Sequence, residues 1–330
     1  MDFRTKIEIA DPGYKIGYND PLLLIGSCFA EEIGAAFLRG KMDAMINPSG
    51  VLYNPFSVAA SLELLLSDES FSEKDLHLFD GKYVSFKHDT FFSSPDRSEM
   101  LEGINNSLNK AREFFNRSRV LIITFGTSWF YRWRETGTVV ANCHKIPESK
   151  FIRELADPVE MKEIWNILLG MLLERYPDLK IILTVSPVRH LKDGAHGNQV
   201  SKSNLLLLVD RLVETDPRIG YFPSYEIVLD ELRDYRFYKD DMIHPSDLAA
   251  EYIWTRFKSA YFTLKDSAIY DEISKISTSM EHRLQATNSP EIKKFAESML
   301  RKIAIIQAKY PLINMEGEIQ YFESLLSDPN

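Results

Sequence analysis

The sequence contains little that could form a disulfide or hold a metal ion. Its 330 residues include only two cysteines, Cys28 and Cys143, which allow at most one bridge. The N-terminal segment lacks the apolar core of a secretory signal, so we expect both thiols to be free. No H-x₃-H or C-x₂-C spacing occurs, and Cys143 stands directly beside His144 rather than at the usual ligand spacing. No metal site is predicted.

Other absences argue against further classes of function. There is no P-loop and no G-x-G-x-x-G after the first strand, so no nucleotide cofactor is indicated. The net charge is −9, and Lys and Arg are spread along helices instead of forming a basic stripe. Binding to nucleic acid or to an anionic membrane is therefore not expected. No apolar run approaches the ~20 residues that span a bilayer. We expect a cytoplasmic protein without a cofactor.

Apolar runs of strand length alternate with segments of helical spacing through most of the chain. The runs cover about 22–25, 43–47, 119–126, 179–187 and 220–222. Strands that alternate with helices of this length predict a parallel sheet with helices on both faces, a three-layer α/β fold. The alternating stretch "KYVSFKHDTFF" predicts a small hairpin. From about residue 263 only amphipathic helices follow, so we predict an α/β domain at 1–262 and a helical C-terminal appendage at 263–330.

Small and reactive residues stand where the predicted strands end. In chain order they are Gly26, Ser27 and Cys28 after the first strand, Gly50 after the second, and Gly126 and Ser128 after the third. Late in the chain, "KDDMIHPS" places Asp241 and His244 just before a helix. Parallel α/β sheets form their sites from loops at the carboxyl ends of strands, so we expect these residues to converge at one edge.

This set of residue types is suited to acyl transfer. A nucleophile at a strand-to-helix turn is exposed at the sheet edge, and the helix N-terminus is expected to lower the pKa of a thiol there. A glycine in the next loop can bring a backbone N–H to an oxyanion. Asp241 can orient His244 as general base, and Asp240 can replace Asp241 if the register slips by one. The structural alternatives are a packing role for Cys28 and a helix cap for Asp241.

Five motifs occur in an order that resembles a known family. They are "GSCFA", "NPSGVLYNP", "ANCHKIP", "TVSPVRHLKDG" and "DDMIHPS". Together they resemble the GSCFA family, which is grouped with the SGNH/GDSL hydrolase superfamily. The resemblance implies a flavodoxin-like (SGNH-hydrolase-like) sheet and a nucleophile–His–Asp triad. In the superfamily's G-D-S block the nucleophile stands two residues after the glycine. That register falls on Cys28, which we favour, and Ser27 is the alternative.

The third block of the superfamily, G-x-N, is altered in this chain. Gly126-Thr127-Ser128 lacks the asparagine that completes the oxyanion hole, so the donor is either the Ser128 hydroxyl or Asn142 of "ANCHK". Turn chemistry is the structural alternative for Ser128. Further loop residues that can grip a polar substrate are His144, Arg189 and His190. Tyr53 and Trp129 can line a substrate wall, although core packing is the favoured role for each.

These observations predict a hydrolase. Its substrate would be an ester or thioester, with acylated carbohydrates as one class, and the reaction would pass through a covalent acyl-enzyme. An acyltransferase that uses the same triad is the near alternative. A module that binds a small molecule or glycan without turnover is the alternative from a different class.

Overall fold

A computed structural model describes residues 5–281 and 290–326. Its strands are β1 (Leu22–Gly26), β2 (Ala44–Ile46), β3 (His77–Phe79), β4 (Lys82–Val84), β5 (Val120–Phe125), β6 (Trp129–Trp133), β7 (Val139–Val140), β8 (Phe151–Leu155), β9 (Lys180–Val185) and β10 (Ile219–Phe222). Its α-helices are α1 (Cys28–Arg39), α2 (Pro55–Leu66), α3 (Arg97–Asn116), α4 (Pro158–Arg175), α5 (Gly194–Val213), α6 (Ser224–Glu226), α7 (Asp247–Tyr261), α8 (Leu264–Glu281), α9 (Pro290–Lys309) and α10 (Glu316–Ser324). Single turns of 3₁₀-helix at Glu73–Asp75, Thr90–Phe92, Glu148–Lys150, Leu191–Asp193 and Tyr235–Phe237, and a π-helical segment at Ile227–Glu231, complete the set.

Five of the strands form a parallel sheet in the order β10-β9-β5-β1-β2. Renumbered along the chain, this is the flavodoxin-like order 2-1-3-4-5. Strand β2 lies on one side of β1 and β5 lies on the other side. The direction in which strands are added along the sheet therefore reverses between β1 and β5. The predicted α/β fold is therefore confirmed, and the crevice where such sheets bind ligands lies at the carboxyl ends of β1 and β5.

Alternate residues of the central strands face two different helical layers. On one face Leu23 and Ile25 join a core with Trp165 of α4 and with residues of α2, α3 and α5. On the other face Leu22 and Leu24 join a core that contains residues of α1 and α7. This alternation follows from the two-residue period of a strand, and it explains why β1 is apolar at every position before Gly26.

Local sequence signals fix where several helices begin. Asn54 caps α2 by accepting the backbone N–H of Ser57 at 2.9 Å, and Pro55 occupies the first helical position. Asp157 caps α4 in the same way, followed by Pro158. A side-chain oxygen at the cap satisfies an N–H that has no partner inside the helix, and proline tolerates the position after it.

The C-terminal helices α8, α9 and α10 follow the sheet domain without an intervening strand in the described residues. The Tyr270 hydroxyl of α8 donates to the Ala36 carbonyl of α1 at 2.9 Å, and Lys41 forms a 2.6 Å ion pair with Glu318 of α10. The helical C-terminal part is thus confirmed, and it shares a core with α1 and α7. Residues 282–289 and 327–330 of the predicted appendage lie outside the described residues, and the division at 262/263 stays a prediction.

One sheet was not predicted from the sequence. Strands β7, β6 and β8 form an antiparallel sheet directly after β5, with Trp129 paired to Leu155 and Trp133 paired to Phe151. The predicted hairpin is present as β3 and β4, although it begins at His77, before the stretch that indicated it. The segment after β4 contacts the loop after β2, where the Asp89 N–H donates to the Ser49 carbonyl at 3.0 Å.

Candidate active site

The turn between β1 and α1 is locked in place by the neighbouring strand. Gly26 has a φ of +145°, and a Cβ on it would lie 2.1 Å from the carbonyl oxygen of Thr124 in β5. The Ser27 N–H donates to that same oxygen at 3.0 Å, and the Gly26 N–H donates to the side chain of Asn47 at 2.8 Å. Only glycine adopts this conformation readily. The turn therefore sets Cys28 as the first residue of α1, at the carboxyl end of β1.

Ser27 and Cys28 have different environments. Ser27 is 1% exposed, and its hydroxyl has no hydrogen-bond partner among the described residues. Cys28 is partly exposed, and burial followed by the charges of Glu32 and Glu31 raises the pKa of its thiol. The N–H of Phe29 and the charge of Lys202 act in the opposite direction but do not outweigh burial. The expectation of a lowered thiol pKa was wrong, because burial and two carboxylates exceed the effect of the helix N-terminus.

Asp241 and His244 form a hydrogen-bonded pair. The Oδ2 atom of Asp241 lies 2.7 Å from Nδ1 of His244, and Oδ1 accepts the backbone N–H groups of Ile243 and His244 at 2.8 and 3.0 Å. These backbone donors, followed by the ring, lower the pKa of Asp241 to about 2. The aspartate that orients the ring is thus Asp241 and not Asp240. Nε2 of His244 has no hydrogen-bond partner among the described residues.

The loop of His244 lies at the carboxyl edge of the sheet. The Arg189 N–H, in the loop after β9, donates to the Ile243 carbonyl at 3.1 Å. Glu32, one helical turn after Cys28, interacts electrostatically with Lys239 and His244. The His244 loop therefore faces the first turns of α1. No hydrogen bond joins His244 to Cys28 or Ser27 in the described residues, so a substrate would have to bridge the gap between them.

The backbone donors expected for an oxyanion hole are used inside the fold. The N–H groups of Gly126 and Thr127 donate to the Tyr53 carbonyl at 2.8 and 3.0 Å, and the Gly50 N–H donates to Asn47 at 2.8 Å. These bonds fix the loops after β2 and β5 against each other. They leave neither Gly50 nor Gly126 with a free N–H in this structure.

Ser128 is fully buried and bonded to α5. Its N–H donates to the Ser201 hydroxyl at 2.8 Å, and its own hydroxyl donates to the Ser201 carbonyl at 3.2 Å. The expectation that Ser128 donates to an oxyanion is not supported by this geometry, because the hydroxyl is already engaged. The predicted turn role does not describe Ser128 either, because both of these bonds run to Ser201 of α5.

Asn142 and His144 belong to a partly buried polar network. The Asn142 side chain accepts the His144 N–H at 2.8 Å and donates to Asp89 at 3.4 Å. His144 is bonded through Nε2 to the Ser85 carbonyl at 2.8 Å, and burial lowers its pKa, so the ring is neutral. Asp89 packs against Gly50. A Cβ added to Gly50 would lie 2.1 Å from the Cβ of Asp89. Both predicted residues thus support the loop after β2 through hydrogen bonds inside the fold.

Arg189 and His190 follow β9 beside the His244 loop. The His190 N–H donates to Asn198 at 2.8 Å, while its ring Nδ1 is buried without a partner among the described residues. Burial and then the charge of Arg153 lower the pKa of His190.

The Arg153 guanidinium lies 4.4 Å from the centre of the Trp129 ring. One face of the Trp129 ring is therefore covered by a cation.

Tyr53 lies beside Cys28 and is 39% exposed, contrary to the core role favoured from the sequence. Burial raises the pKa of its hydroxyl to about 12, with further increases from Cys28, Asp89 and Glu31. Next to it is a groove of about 430 Å³. Its apolar lining includes Met45, Ile46, Pro48, Val51, Phe91 and Phe92. The groove is also lined by Glu31 and Asp89, the two carboxylates that raise the pKa of Tyr53.

Lys202 of α5 is a site residue that the sequence analysis missed. It is 1% exposed, and its Nζ donates to the Gly126 and Ser186 carbonyls at 2.7 and 2.6 Å. Burial lowers its pKa to about 7. A signal was present, because Lys202 stands three residues before Leu205 and seven before Val209, on the apolar side of the predicted helix.

Nothing in the described residues indicates a cofactor or a metal. No three side chains of His, Cys, Asp or Glu come together as a metal site within residues 5–281 and 290–326. In the same part of the chain, none of the helices has the length and apolar character required to cross a membrane.

The fold and this edge of the sheet define a flavodoxin-like α/β protein with a candidate site at its switch point. Residues 21–257 match the GSCFA family, and residues 273–328 match the GSCFA domain protein, C-terminal domain. The first match covers more than half of the chain, so the protein belongs to the GSCFA family.

Comparisons beyond the family show distant similarity. No curated protein matches the chain. Among solved structures it is similar to an acetyl xylan esterase, Est2A, from the rumen bacterium Butyrivibrio proteoclasticus, with 12% identity and a TM-score of 0.30. The similarity covers 77% of this chain and 65% of the esterase chain.

Proposed function

We propose that this protein is a hydrolase of the SGNH/GDSL type that acts on an ester or thioester. Cys28 is the nucleophile, His244 the general base, and Asp241 the residue that orients the base. The observation that carries the proposal is the 2.7 Å bond between Asp241 Oδ2 and His244 Nδ1, in a loop at the same sheet edge as the Cys28 turn. This bond leaves Nε2 as the nitrogen that can take a proton.

The reaction follows from these positions. In the substrate complex, where His244 Nε2 comes within hydrogen-bond reach of the thiol, Cys28 Sγ attacks the carbonyl carbon and the thiol proton passes to Nε2. The tetrahedral intermediate collapses, the bond to the leaving oxygen or sulfur breaks, and His244 returns the proton to that atom. Water then attacks the acyl-enzyme with His244 as base, releasing the acid and the Cys28 thiol. The resting thiol has a raised pKa, so this nucleophile depends on a base more than a preformed thiolate would.

Three features of the edge support the chemistry. The Cys28 N–H belongs to the first turn of α1, where N–H groups have no carbonyl partner within the helix, so it is the donor we assign to an oxyanion, while the Phe29 N–H is hydrogen-bonded to the Cys28 thiol. The groove beside Tyr53 has an apolar lining and receives the acyl chain. His244 and Asp241 are each 44% exposed, so water reaches the base. Access of water favours hydrolysis over transfer to a second acceptor.

The test is turnover of a panel of p-nitrophenyl esters and acyl thioesters, from acetyl to octanoyl. We expect His244→Ala to lower turnover by about 10²–10⁴-fold, the usual contribution of a general base. His196→Ala, at an exposed position on α5, is the matched control and should retain activity. Cys28→Ala should abolish turnover, and Cys143→Ala should not.

Equal rates for wild type and His244→Ala would contradict the triad. If wild type turns over none of the panel, the hydrolase proposal fails for these substrates. Binding of the same compounds without turnover, measured as a thermal shift, would then favour the binding module.

A further inference from the structure

The guanidinium of Arg189 has no anionic partner in the described part of the chain. Arg189 is half-buried in the loop after β9, and within residues 5–281 and 290–326 its side chain forms no hydrogen bond and no ion pair. Arginine stays charged in proteins and carries its N–H donors in a planar fork. A cation that is partly removed from water loses hydration, which an anion can replace. The guanidinium is therefore available to an anion from outside the chain.

Arg189 lines a pocket of about 290 Å³. The rest of this Arg189 pocket is mostly apolar and aromatic, with walls from Val228, Leu229, Leu232, Tyr235 and Tyr238. The first two of these residues belong to the π-helical segment Ile227–Glu231. Segments of this kind are rare and occur frequently at functional sites. An apolar concave wall with a few polar groups is the usual composition of a small-molecule site.

The other two charged residues of the pocket have partners within the chain. Arg233 donates to Asp230 at 2.6 Å. Asp234 accepts the backbone N–H of Arg236 at 2.9 Å, and its second oxygen lies 3.7 Å from the Nε atom of Arg236. Arg189 therefore leaves the described part of the pocket with one positive charge in excess. A single guanidinium fits a carboxylate, whose two oxygens can accept two parallel N–H groups.

The walls of the Arg189 pocket are attached to the loop that holds His244. The Arg189 N–H donates to the carbonyl of Ile243 at 3.1 Å. Tyr238 forms an antiparallel bridge with Pro245. Two residues of the pocket thus contact the two residues that flank His244, so the pocket adjoins the general base of the proposed reaction.

This position corresponds to the leaving group. In the proposed reaction His244 returns its proton to the leaving oxygen or sulfur, so that atom must lie beside the imidazole when its bond to the acyl carbon breaks. The acyl chain is assigned to the groove beside Tyr53. The pocket beside the His244 loop can then receive the remainder of the leaving group.

We propose that the Arg189 pocket binds the leaving group of the substrate and selects leaving groups that carry a carboxylate. This inference rests on the proposed function, because it names the substrate class of the same site. An arginine that is only a solvated surface residue would give no preference between a carboxylate and the corresponding neutral amide.

The first test measures binding without turnover, by isothermal titration calorimetry of the full-length protein. The probes are p-hydroxybenzoate and p-hydroxybenzamide, which have similar shapes and differ in charge. We expect wild type to bind the benzoate about 10- to 100-fold more tightly, the usual effect of a hydrogen bond between charged groups. Arg189→Met should remove the preference, and Arg189→Lys should keep part of it, because the charge remains while the planar fork is lost. Equal affinities in wild type, or no binding of the benzoate, would overturn the proposal whether or not the variants fold.

Arg211→Met is the matched control for the loss of one positive charge. Arg211 is exposed near the end of α5 and does not line the Arg189 pocket. Its replacement should leave the preference for the benzoate unchanged. A preference lost equally in Arg189→Met and Arg211→Met would contradict the assignment to this pocket.

Turnover gives a second readout. For the acetate esters of the same two phenols, Arg189→Met should lower kcat/KM about 10- to 100-fold for the benzoate and leave the benzamide unchanged. Comparing the variant with wild type cancels the difference in intrinsic reactivity between the two esters. Turnover without this selectivity would refute the role of the pocket and leave the hydrolase proposal standing. Selective binding of the benzoate without turnover of any ester would refute the proposed function alone.

Discussion

Replacement of Gly26 by alanine should be among the most destabilising single changes in the sheet. Gly26 has a φ of +145°, in a region that L-residues rarely occupy and that costs ~1–3 kcal/mol. The new Cβ would also stand 2.1 Å from the oxygen, 2.8 Å from the carbon and 2.9 Å from the nitrogen of Thr124. All three atoms belong to the backbone of β5, which pairs with both β1 and β9. The strand therefore cannot move away from the new Cβ without breaking hydrogen bonds to its neighbours.

The two costs together predict a loss of more than about 4 kcal/mol in the free energy of unfolding. Gly137→Ala is the matched control, since Gly137 also has a positive φ of +73° but no atom within 4 Å of its ideal Cβ. It should cost only about 1–2 kcal/mol. Urea unfolding followed by circular dichroism measures both variants. A Gly26→Ala loss no larger than that of Gly137→Ala would refute the steric reasoning and the tight β1–α1 turn.

Three further predictions concern the site. Asp241→Asn should lower turnover by about 10²–10⁴-fold, because His244 loses the group that orients it, whereas Asp240→Asn should not. Equal losses of turnover in the two variants would contradict the observed pairing of Asp241 with His244. Lys202→Met should alter the pH dependence of stability, because the lysine binds its proton near pH 10.5 in the unfolded chain and near pH 7 in the folded one. As the pH falls through this range, the free energy of unfolding of the wild type should decrease by about 5 kcal/mol relative to that of the variant. Urea titrations that show no such slope would contradict this prediction. Phe91→Ser, at the groove, should lower kcat/KM about tenfold for octanoyl but not acetyl esters, and an equal effect on both would exclude the groove as the acyl site.

The fold could be predicted because its signals are local. The apolar runs that became β1, β5 and β9 are buried on both faces, and such runs differ clearly from the helices between them. The antiparallel sheet of β6, β7 and β8 was missed because the short strand Val139–Val140 carries too few residues for a periodic signal. The start of helix α5 at Gly194 is not marked in the sequence, because its first turn, Gly-Ala-His-Gly, contains two glycines and has no side-chain cap.

The candidate site was only partly predictable, for a physical reason. Asp241 and His244 are three residues apart, so their pairing is a local property and could be anticipated. The roles of Ser128 and Asn142 depend on partners distant in the sequence, such as Ser201 and Asp89, and no spacing rule reveals those contacts. The pKa of Cys28 was misjudged for the same reason, because burial is set by tertiary packing.

The central claim, that Cys28 forms an acyl-enzyme with help from His244, is tested most directly by trapping that intermediate. Wild-type protein would be mixed with an octanoyl thioester, quenched in acid within seconds and digested, and the acylated peptide sequenced by mass spectrometry. The account predicts an octanoyl adduct on Cys28 that decays as free acid appears, and an adduct that forms at least about 10²-fold more slowly in His244→Ala. An adduct on Ser27, or equal rates in the two proteins, would contradict it.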